Sequence, residues 1–358
     1  MSPNLETSFW TRMGLQEQDH DVCVRAIEEV YTTCRVEEFK DQGYCSFTFL
    51  VTPSSSSMVT LIVQIRPRQH GLEPEITGEA QSVYGSLAPR VKKLHVSLPG
   101  RLSAFEMELL LGVPYSRVKS RIVMFGREGW EKRVRLVESF ASFIARAWPT
   151  CYTPTALDRT VRADSPIFED SSWLAPCAGA VGANIVPKLW KLARDLPDET
   201  LRRRAQDTLQ KLRNLVSYPL ALNHGDLIPT NILVDEETWE ITGLVDWAEA
   251  EVLPFGTCLY GLEYLLGSIK YSSSRHTSIP TFDYDDGADE LRRVFWNVMV
   301  KENPEMKDRI EEVRVMRDLG VLLWSGYAWD EGKIDRVVNE VDDVEEVACL
   351  RAFLGVEC

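Results

Sequence analysis

The segment ALNHGDLIPTNILVDEETWEITGLVDW, from Ala221 to Trp247, decides the fold. Ile232 to Val234 and Ile241 to Val245 are short apolar runs flanking the polar stretch Asp235 to Thr238, a pattern that predicts a β-hairpin. His224, Asp226 and Asn231 stand just before the first strand, and Asp246 stands just after the second. Antiparallel pairing brings such outer ends together, so Asn231 and Asp246 are expected side by side despite fifteen residues of separation. A carboxylate and an amide oxygen, completed by water and phosphate oxygens, suit Mg2+, a hard ion that dehydrates reluctantly and rarely takes an all-protein cage. Asp226, five residues before Asn231, is expected in the same cleft, where a carboxylate within hydrogen-bond reach of a hydroxyl serves as a general base. Hairpin-capping turn residues are the plain alternative for all three.

Working outward toward the N-terminus, Val22, Val24, Ile27, Val30 and Tyr31 recur at helical spacing, and three strand-like runs follow at Val36 to Phe39, Tyr44 to Val51 and Met58 to Ile65. Gly43 and the Pro53 to Ser57 stretch punctuate them as turns of an antiparallel meander. Glu79 to Leu87 reads as a short helix, and Val91 to Glu108 holds further strand candidates. From Glu131 to Trp148 the period changes to about 3.6, with Val137, Phe140, Ile144 and Trp148 on one stripe. Residues 150–180 read as a Pro-, Gly- and Ser-rich surface excursion. Helices are then expected around Leu209 to Val216, Asp289 to Lys301, Lys307 to Trp329 and Lys333 to Leu354. Strands first and helices after them predict an α+β fold in two lobes: residues 1–108 as a small antiparallel-sheet lobe and 109–358 as a larger, mainly helical one.

His224-Gly225-Asp226 with Asn231, followed by Val245-Asp246-Trp247, resembles the catalytic and metal-binding loops of the aminoglycoside phosphotransferase and choline kinase family. The Asp-x4-Asn spacing matches the kinase pattern, and His-Gly-Asp with Asp-Trp points to its small-molecule branch. Gln64-Ile65-Arg66, Tyr84-Gly85 and Pro254-Phe255-Gly256 resemble the fungal-type subset of that family. The resemblance implies a bilobal protein-kinase-like fold and an ATP- and Mg2+-dependent transfer of the γ-phosphate to a hydroxyl of a small molecule. It implies Asp226 as base or orienting carboxylate, His224 as the residue that holds the loop backbone, and Asn231 and Asp246 as the metal ligands.

Other parts of the family pattern are altered. The turn that should cover the phosphates, Asp41 to Ser46, has a single glycine; Ser46 or its neighbouring amides are the candidate phosphate contacts, and a plain hairpin turn is the alternative. The third strand should carry a lysine for the phosphates, but Met58 to Arg66 has none. Period-2 alternation places Gln64 and Arg66 on one face, so Arg66 is the candidate clamp, Gln64 its neutral neighbour, and Glu79 its candidate helix partner, with Glu75 the alternative. Phe105 to Leu109 resembles the adenine-contacting hinge, with Met107 and Leu109 the candidate contacts or plain core. Arg202, Arg203 and Arg204 read as a solvated helix face.

Lys and Arg number 40 against 54 Asp and Glu, a net charge of −14 that excludes a phosphate-backbone binder and so nucleic acid as the main partner. No run of 18 uncharged apolar residues occurs, so a membrane span is not expected, and the chain reads as soluble and cytoplasmic. Eight scattered cysteines without a CxxC pair argue against structural zinc and a disulfide framework. Asp283, Asp285, Asp286, Asp289 and Glu290, with Asp330 and Glu331, suggest by their charge a cationic amine or amino-sugar acceptor. Two other functions compete with phosphate transfer: a pseudokinase-like binding module, suggested by the missing lysine, and a kinase-fold enzyme recruited to a different biosynthetic reaction. The short, different stretch after Asp246 excludes a protein-kinase activation loop.

Overall fold

The computed structural model describes residues 8–55, 59–121, 126–148, 173–273, 278–330 and 333–356, and the fold is α+β. Most of the 150–180 excursion, together with Cys151, Cys358 and Glu331, lies outside the described residues. The chain divides into two compact units, Ser2–Gly112 with Thr242–Ala248, and Val113–Ile241 with Glu249–Cys358.

The first unit opens with α1 (Phe9–Arg12) and α2 (Glu17–Val30), followed by β1 (Cys34–Glu38), β2 (Phe47–Pro53) and β3 (Leu61–Pro67). Next come α3 (Pro74–Tyr84), β4 (Val91–Leu94) and β5 (Leu102–Glu108). The strands form one antiparallel sheet in the order β1-β2-β3-β5-β4, so β3 is central. Phe9, Trp10, Cys23 and Ile27 from the helices pack with Phe47, Phe49, Val51, Val63 and Ile65 from the sheet. Each large side chain buried this way contributes on the order of 1.5–3 kcal/mol. Because Val63 and Ile65 face this core, period 2 sends Gln64 and Arg66 to the opposite face. Helix α3 starts with Pro74 in its first turn, where a missing N–H costs nothing, and stops at Gly85, whose φ of 60° favours glycine.

The second unit begins with β6 (Val113–Pro114), α4 (Tyr115–Arg121) and α5 (Arg127–Ala145). After α6 (Gly179–Gly182), α7 (Ile185–Asp195) and α8 (Glu199–Arg213) come β7 (Leu220–Asn223), β8 (Ile232–Val234), β9 (Ile241–Leu244) and β10 (Glu251–Pro254). Strand β9 carries the chain into the first unit, and β10 pairs antiparallel with β7. The remainder is α9 (Tyr260–Leu266), the hairpin β11 (Gly267–Ser273) and β12 (Ser278–Tyr284), α10 (Ala288–Glu302), α11 (Ile310–Ser325), the hairpin β13 (Tyr327–Asp330) and β14 (Lys333–Val337), and α12 (Val344–Gly355). Phe140 of α5 lies 6.0 Å from Phe295 of α10, ring to ring, which joins the longest amphipathic helix to its neighbour.

Two helix expectations need correction. The helix expected from Lys307 to Trp329 runs from Ile310 to Ser325, and Tyr327 to Trp329 belong to a strand. The helix expected from Lys333 is a strand until Val337, and the helix starts at Val344. Tyr327 pairs with Val337 and Ala328 with Arg336, a hairpin that uses the aromatic and β-branched residues there. Among the described residues no helix is long and apolar enough to cross a membrane, and the described cysteines Cys23, Cys34, Cys45, Cys177, Cys258 and Cys349 are free thiols.

Candidate active site

In the second unit, β7 ends at Asn223, whose side chain is fully engaged: Nδ2 donates to Ala221 O and Leu253 O, and Oδ1 accepts from Cys258 N–H at 3.0 Å. The chain then turns through His224, Gly225 and Asp226. Gly225 has φ +81°, and a Cβ there would sit 2.0 Å from the carbonyl oxygen of Glu249. Only glycine permits this approach. His224 is 1% exposed and its Nδ1 accepts the Asp226 N–H at 3.3 Å, which ties the ring to the loop backbone. A second support comes from Tyr260, whose hydroxyl accepts the Leu227 N–H at 3.2 Å and whose ring stacks on Trp324 at 4.8 Å. Burial, and after it the Asp226 charge, hold that hydroxyl protonated far above its ordinary range, so it serves as a strut rather than an acid.

Asn231 closes the loop. Its Nδ2 donates to Asp226 Oδ2 at 2.7 Å and to Asp226 O at 3.0 Å, while its own N–H reaches Ile228 O at 3.0 Å. The amide oxygen Oδ1 is thereby left pointing away from those bonds, and among the described residues it accepts none. Strand β8, buried along its length, follows at once and pairs with β6. The turn beyond it is closed by Asp235, whose Oδ1 accepts from Glu237 N and Thr238 N. Glu249 is the residue that motif matching missed: its carboxylate and that of Asp226 offer oxygens within 4.8 Å of each other. Two carboxylates that close favour a cation. Its only sequence signal is a glutamate three residues beyond Asp246, too common to single out.

In the first unit, Asp246 adopts a left-handed backbone, φ 64°, which an L-residue holds at a cost of roughly 1–3 kcal/mol and which clusters at functional sites. Trp247 anchors the turn: it is buried, its Nε1 donates to Leu244 O at 3.0 Å and its ring lies 5.2 Å from Tyr84. Arg66 Nη2 donates to Asp246 Oδ1 at 2.6 Å, with the guanidinium side chain 2% exposed and the carboxylate side chain 40% exposed. Gln64 Oε1 accepts from Arg66 Nε at 2.9 Å, and His70 O from Nη1 at 3.3 Å. Burial and the Arg66 charge lower the His70 pKa, partly opposed by Asp246.

The expected Arg66–Glu79 pair is therefore absent. The guanidinium is taken by Asp246, Gln64 and a carbonyl, and Glu79 forms no ion pair among the described residues; burial alone raises its pKa. Ser46 is 4% exposed, and a Cβ at Gly43 would meet its Oγ at 2.6 Å, so its hydroxyl faces its own turn. That turn is fastened by Gln42, which bonds Phe39 O, Thr48 O and Thr48 N, and by Arg12, which donates to Gly43 O and Tyr44 O. Met107, half-buried in β5, lies opposite Ile62 and Val91, and Leu109, also half-buried, stands just beyond the strand.

The acidic run is mostly exposed, with Asp283, Asp286, Asp289 and Glu290 at the surface and only Asp285 half-buried. Asp289 pairs with Arg292 at 2.6 Å, and Arg133 reaches Asp285 at 4.0 Å and Asp286 O at 2.6 Å. Arg202 and Arg204 are not simply solvated: Arg202 caps Leu196 O and Pro197 O, and Arg204 donates to Leu354 O, while Arg203 pairs with Glu199 on the surface.

The model of the phosphotransferase enzyme family (APH) matches residues 42–256, more than half of the chain. No curated protein matches it in sequence. Among solved structures it is similar to an aminoglycoside-3'-phosphotransferase of type VIII, with 17% identity over 86% of this chain and 100% of that one and a TM-score of 0.45. It is similar also to the macrolide 2'-phosphotransferase MphH from Brachybacterium faecium, with 16% identity, 86% and 92% coverage and a TM-score of 0.46. A third is an aminoglycoside phosphotransferase from Streptomyces rimosus in complex with ADP and streptomycin, with 13% identity, 84% and 98% coverage and a TM-score of 0.41.

Proposed function

The chain belongs to the phosphotransferase enzyme family, and from that premise we propose that it is an ATP- and Mg2+-dependent kinase of a small molecule, with a hydroxyl group as acceptor. The observation that carries this reading is the bond from Asn231 Nδ2 to Asp226 Oδ2, which aims a carboxylate and frees an amide oxygen in one stroke. Asp226 accepts the proton of the acceptor hydroxyl as the phosphoryl group leaves, and its alignment is the larger part of its effect because such transition states are loose. His224 is a positioning residue, holding the Asp226 amide from below.

The donor set fits a magnesium ion. In the second unit Asn231 Oδ1 is a hard oxygen that accepts no hydrogen bond among the described residues, and the carboxylates of Asp226 and Glu249 lie close together; in the first unit Asp246 Oδ2 is a hard oxygen that likewise accepts none. When bound, Mg2+ would offset the negative charge that builds on the phosphate oxygens. Loop amides between Asp41 and Ser46 are the phosphate contacts of this reading, and Met107 and Leu109 flank the adenine. Asp283, Asp286, Asp289 and Glu290 keep their carboxylates exposed, the charge on which a cationic acceptor rests, although Asp289 also pairs with Arg292.

Calorimetry and thermal shift test this directly. ADP with Mg2+, at about 100 times its Kd, should stabilise the protein by about 2.7 kcal/mol, and the same ADP concentration in chelator should stabilise it by much less. Asp246→Ala should erase the difference that Mg2+ makes. Wild-type protein that binds no nucleotide under either condition returns the chain to a binding module.

A further inference from the structure

Arg66 occupies the third-strand position where a lysine would contact phosphate, yet its surroundings suit another task. Its side chain is 2% exposed, and all three guanidinium nitrogens are committed: Nε to Gln64 Oε1 at 2.9 Å, Nη1 to His70 O at 3.3 Å and Nη2 to Asp246 Oδ1 at 2.6 Å. Gln64 is itself tied to Thr48 Oγ1 at 3.4 Å, and β3 is the central strand, so the guanidinium stands on the stiffest part of the sheet. Swinging toward a phosphate would break the charge-assisted bond to Asp246 and the bonds to Gln64 and His70 O together. A lysine here could not make these contacts in the same places, because its three donors share one nitrogen, whereas the guanidinium spreads its donors over three. Asp246 for its part sits on a left-handed backbone that its neighbours must hold in place.

We propose that Arg66 is a positioning residue for Asp246: it fixes Oδ1 and so presents Oδ2 to the divalent cation, and it makes no contact with phosphate. This rests on the kinase reading above. It recasts the loss of the lysine as a change of task, from gripping the nucleotide to orienting the metal ligand.

The test is the ratio of ADP dissociation constants measured by calorimetry in chelator and in Mg2+, for wild type, Arg66→Ala and Gln64→Ala. Arg66→Ala should leave metal-free ADP affinity unchanged and lower the ratio about tenfold, the size of one charge-assisted hydrogen bond. Gln64→Ala keeps the charge but removes a support of the guanidinium, so it should lower the ratio in the same direction by less; it also carries the test alone if Arg66→Ala fails to fold. A fall in metal-free ADP affinity in Arg66→Ala would make Arg66 a phosphate clamp and overturn the proposal, as would a ratio that rises, which would mark the guanidinium as a competitor of the cation. A wild-type protein whose ADP affinity ignores Mg2+ would instead remove the kinase reading itself.

Discussion

Asn231 Nδ2 lies 2.7 Å from Asp226 Oδ2 and 3.0 Å from Asp226 O, so one amide holds both the side chain and the backbone of the candidate base. Asn231→Ala should therefore lower kcat even where nucleotide still binds. The loss expected from one hydrogen bond to a charged group is about 1.5–3 kcal/mol, or roughly 10- to 150-fold in rate. Asp226→Asn should cost about 10²–10⁴-fold, the usual worth of a general base, and leave ADP affinity nearly intact. Steady-state kinetics with any turned-over acceptor checks both; an Asp226→Asn variant as active as wild type takes Asp226 out of the mechanism.

Gly225 is under a second, steric constraint. A methyl group there would lie 2.0 Å from the Glu249 carbonyl oxygen, and the residue already has φ +81°, whereas Gly14, with φ +67°, has open space around it. Gly14→Ala should cost only the left-handed backbone term of about 1–2 kcal/mol. Gly225→Ala must also push two backbone segments apart, and a loss of about 4 kcal/mol or more is expected. Urea unfolding of the two variants decides it: similar midpoints would mean that the loop yields without resistance.

The hairpin at Ile232 to Val245 and the five-residue step from Asp226 to Asn231 were legible in the sequence because both depend on local spacing. A strand period, a polar turn and a loop length leave few alternatives. The partner of Arg66 was not legible. Asp246 is 180 residues away along the chain while Glu79 is 13 away, and period 2 gives a face of the strand without saying what covers it. Glu249 was missed because its place depends on how closely Gly225 approaches the main chain, which no spacing rule encodes. The β11–β12 hairpin was missed for another reason: it follows directly on α9, and Gly267 opposite Tyr284 and Ile269 opposite Phe282 carry no turn signal of their own.

Glu263 shows what an apolar run can hide. It sits inside Tyr260 to Leu266, is 1% exposed, and is held by Arg317 Nη2 at 2.7 Å and Arg292 Nη2 at 2.9 Å. Burial alone would raise its pKa, but the two guanidinium charges, Arg317 before Arg292, and their hydrogen bonds outweigh it and hold the pKa below 4.5. A depressed carboxylate contributes stability above its unfolded pKa and loses it as pH falls through the folded value. Glu263→Gln should cost about 3–5 kcal/mol near neutral pH, since two buried cations lose their shared counter-charge, and should flatten the decline of stability below pH of about 4.5. An acid limb unchanged in the variant would show that Glu263 does not drive that decline.

Lys119 gives a prediction of opposite sign. Its Nζ is held by Tyr264 O at 3.2 Å and Gly267 O at 2.5 Å, and burial brings its pKa down from 10.5 to about 8, with Asp285 pulling upward and Arg133 and Lys270 downward. Between those two values the unfolded chain binds the proton and the folded one does not, so the cost of the buried ammonium is full below pH 8 and is relieved as pH rises toward 10.5. Buried tyrosines such as Tyr115 and Tyr218, whose pKa values burial raises, act the other way above pH of about 10, so the Lys119 contribution is read as a difference. The stability of wild type minus that of Lys119→Met should climb from about pH 8 to 10, with a slope approaching 1.4 kcal/mol per pH unit for one proton. Chemical unfolding at half-unit pH steps measures that slope; a flat difference would mean that the ammonium keeps its proton in the fold and that the two carbonyls offset its burial in full.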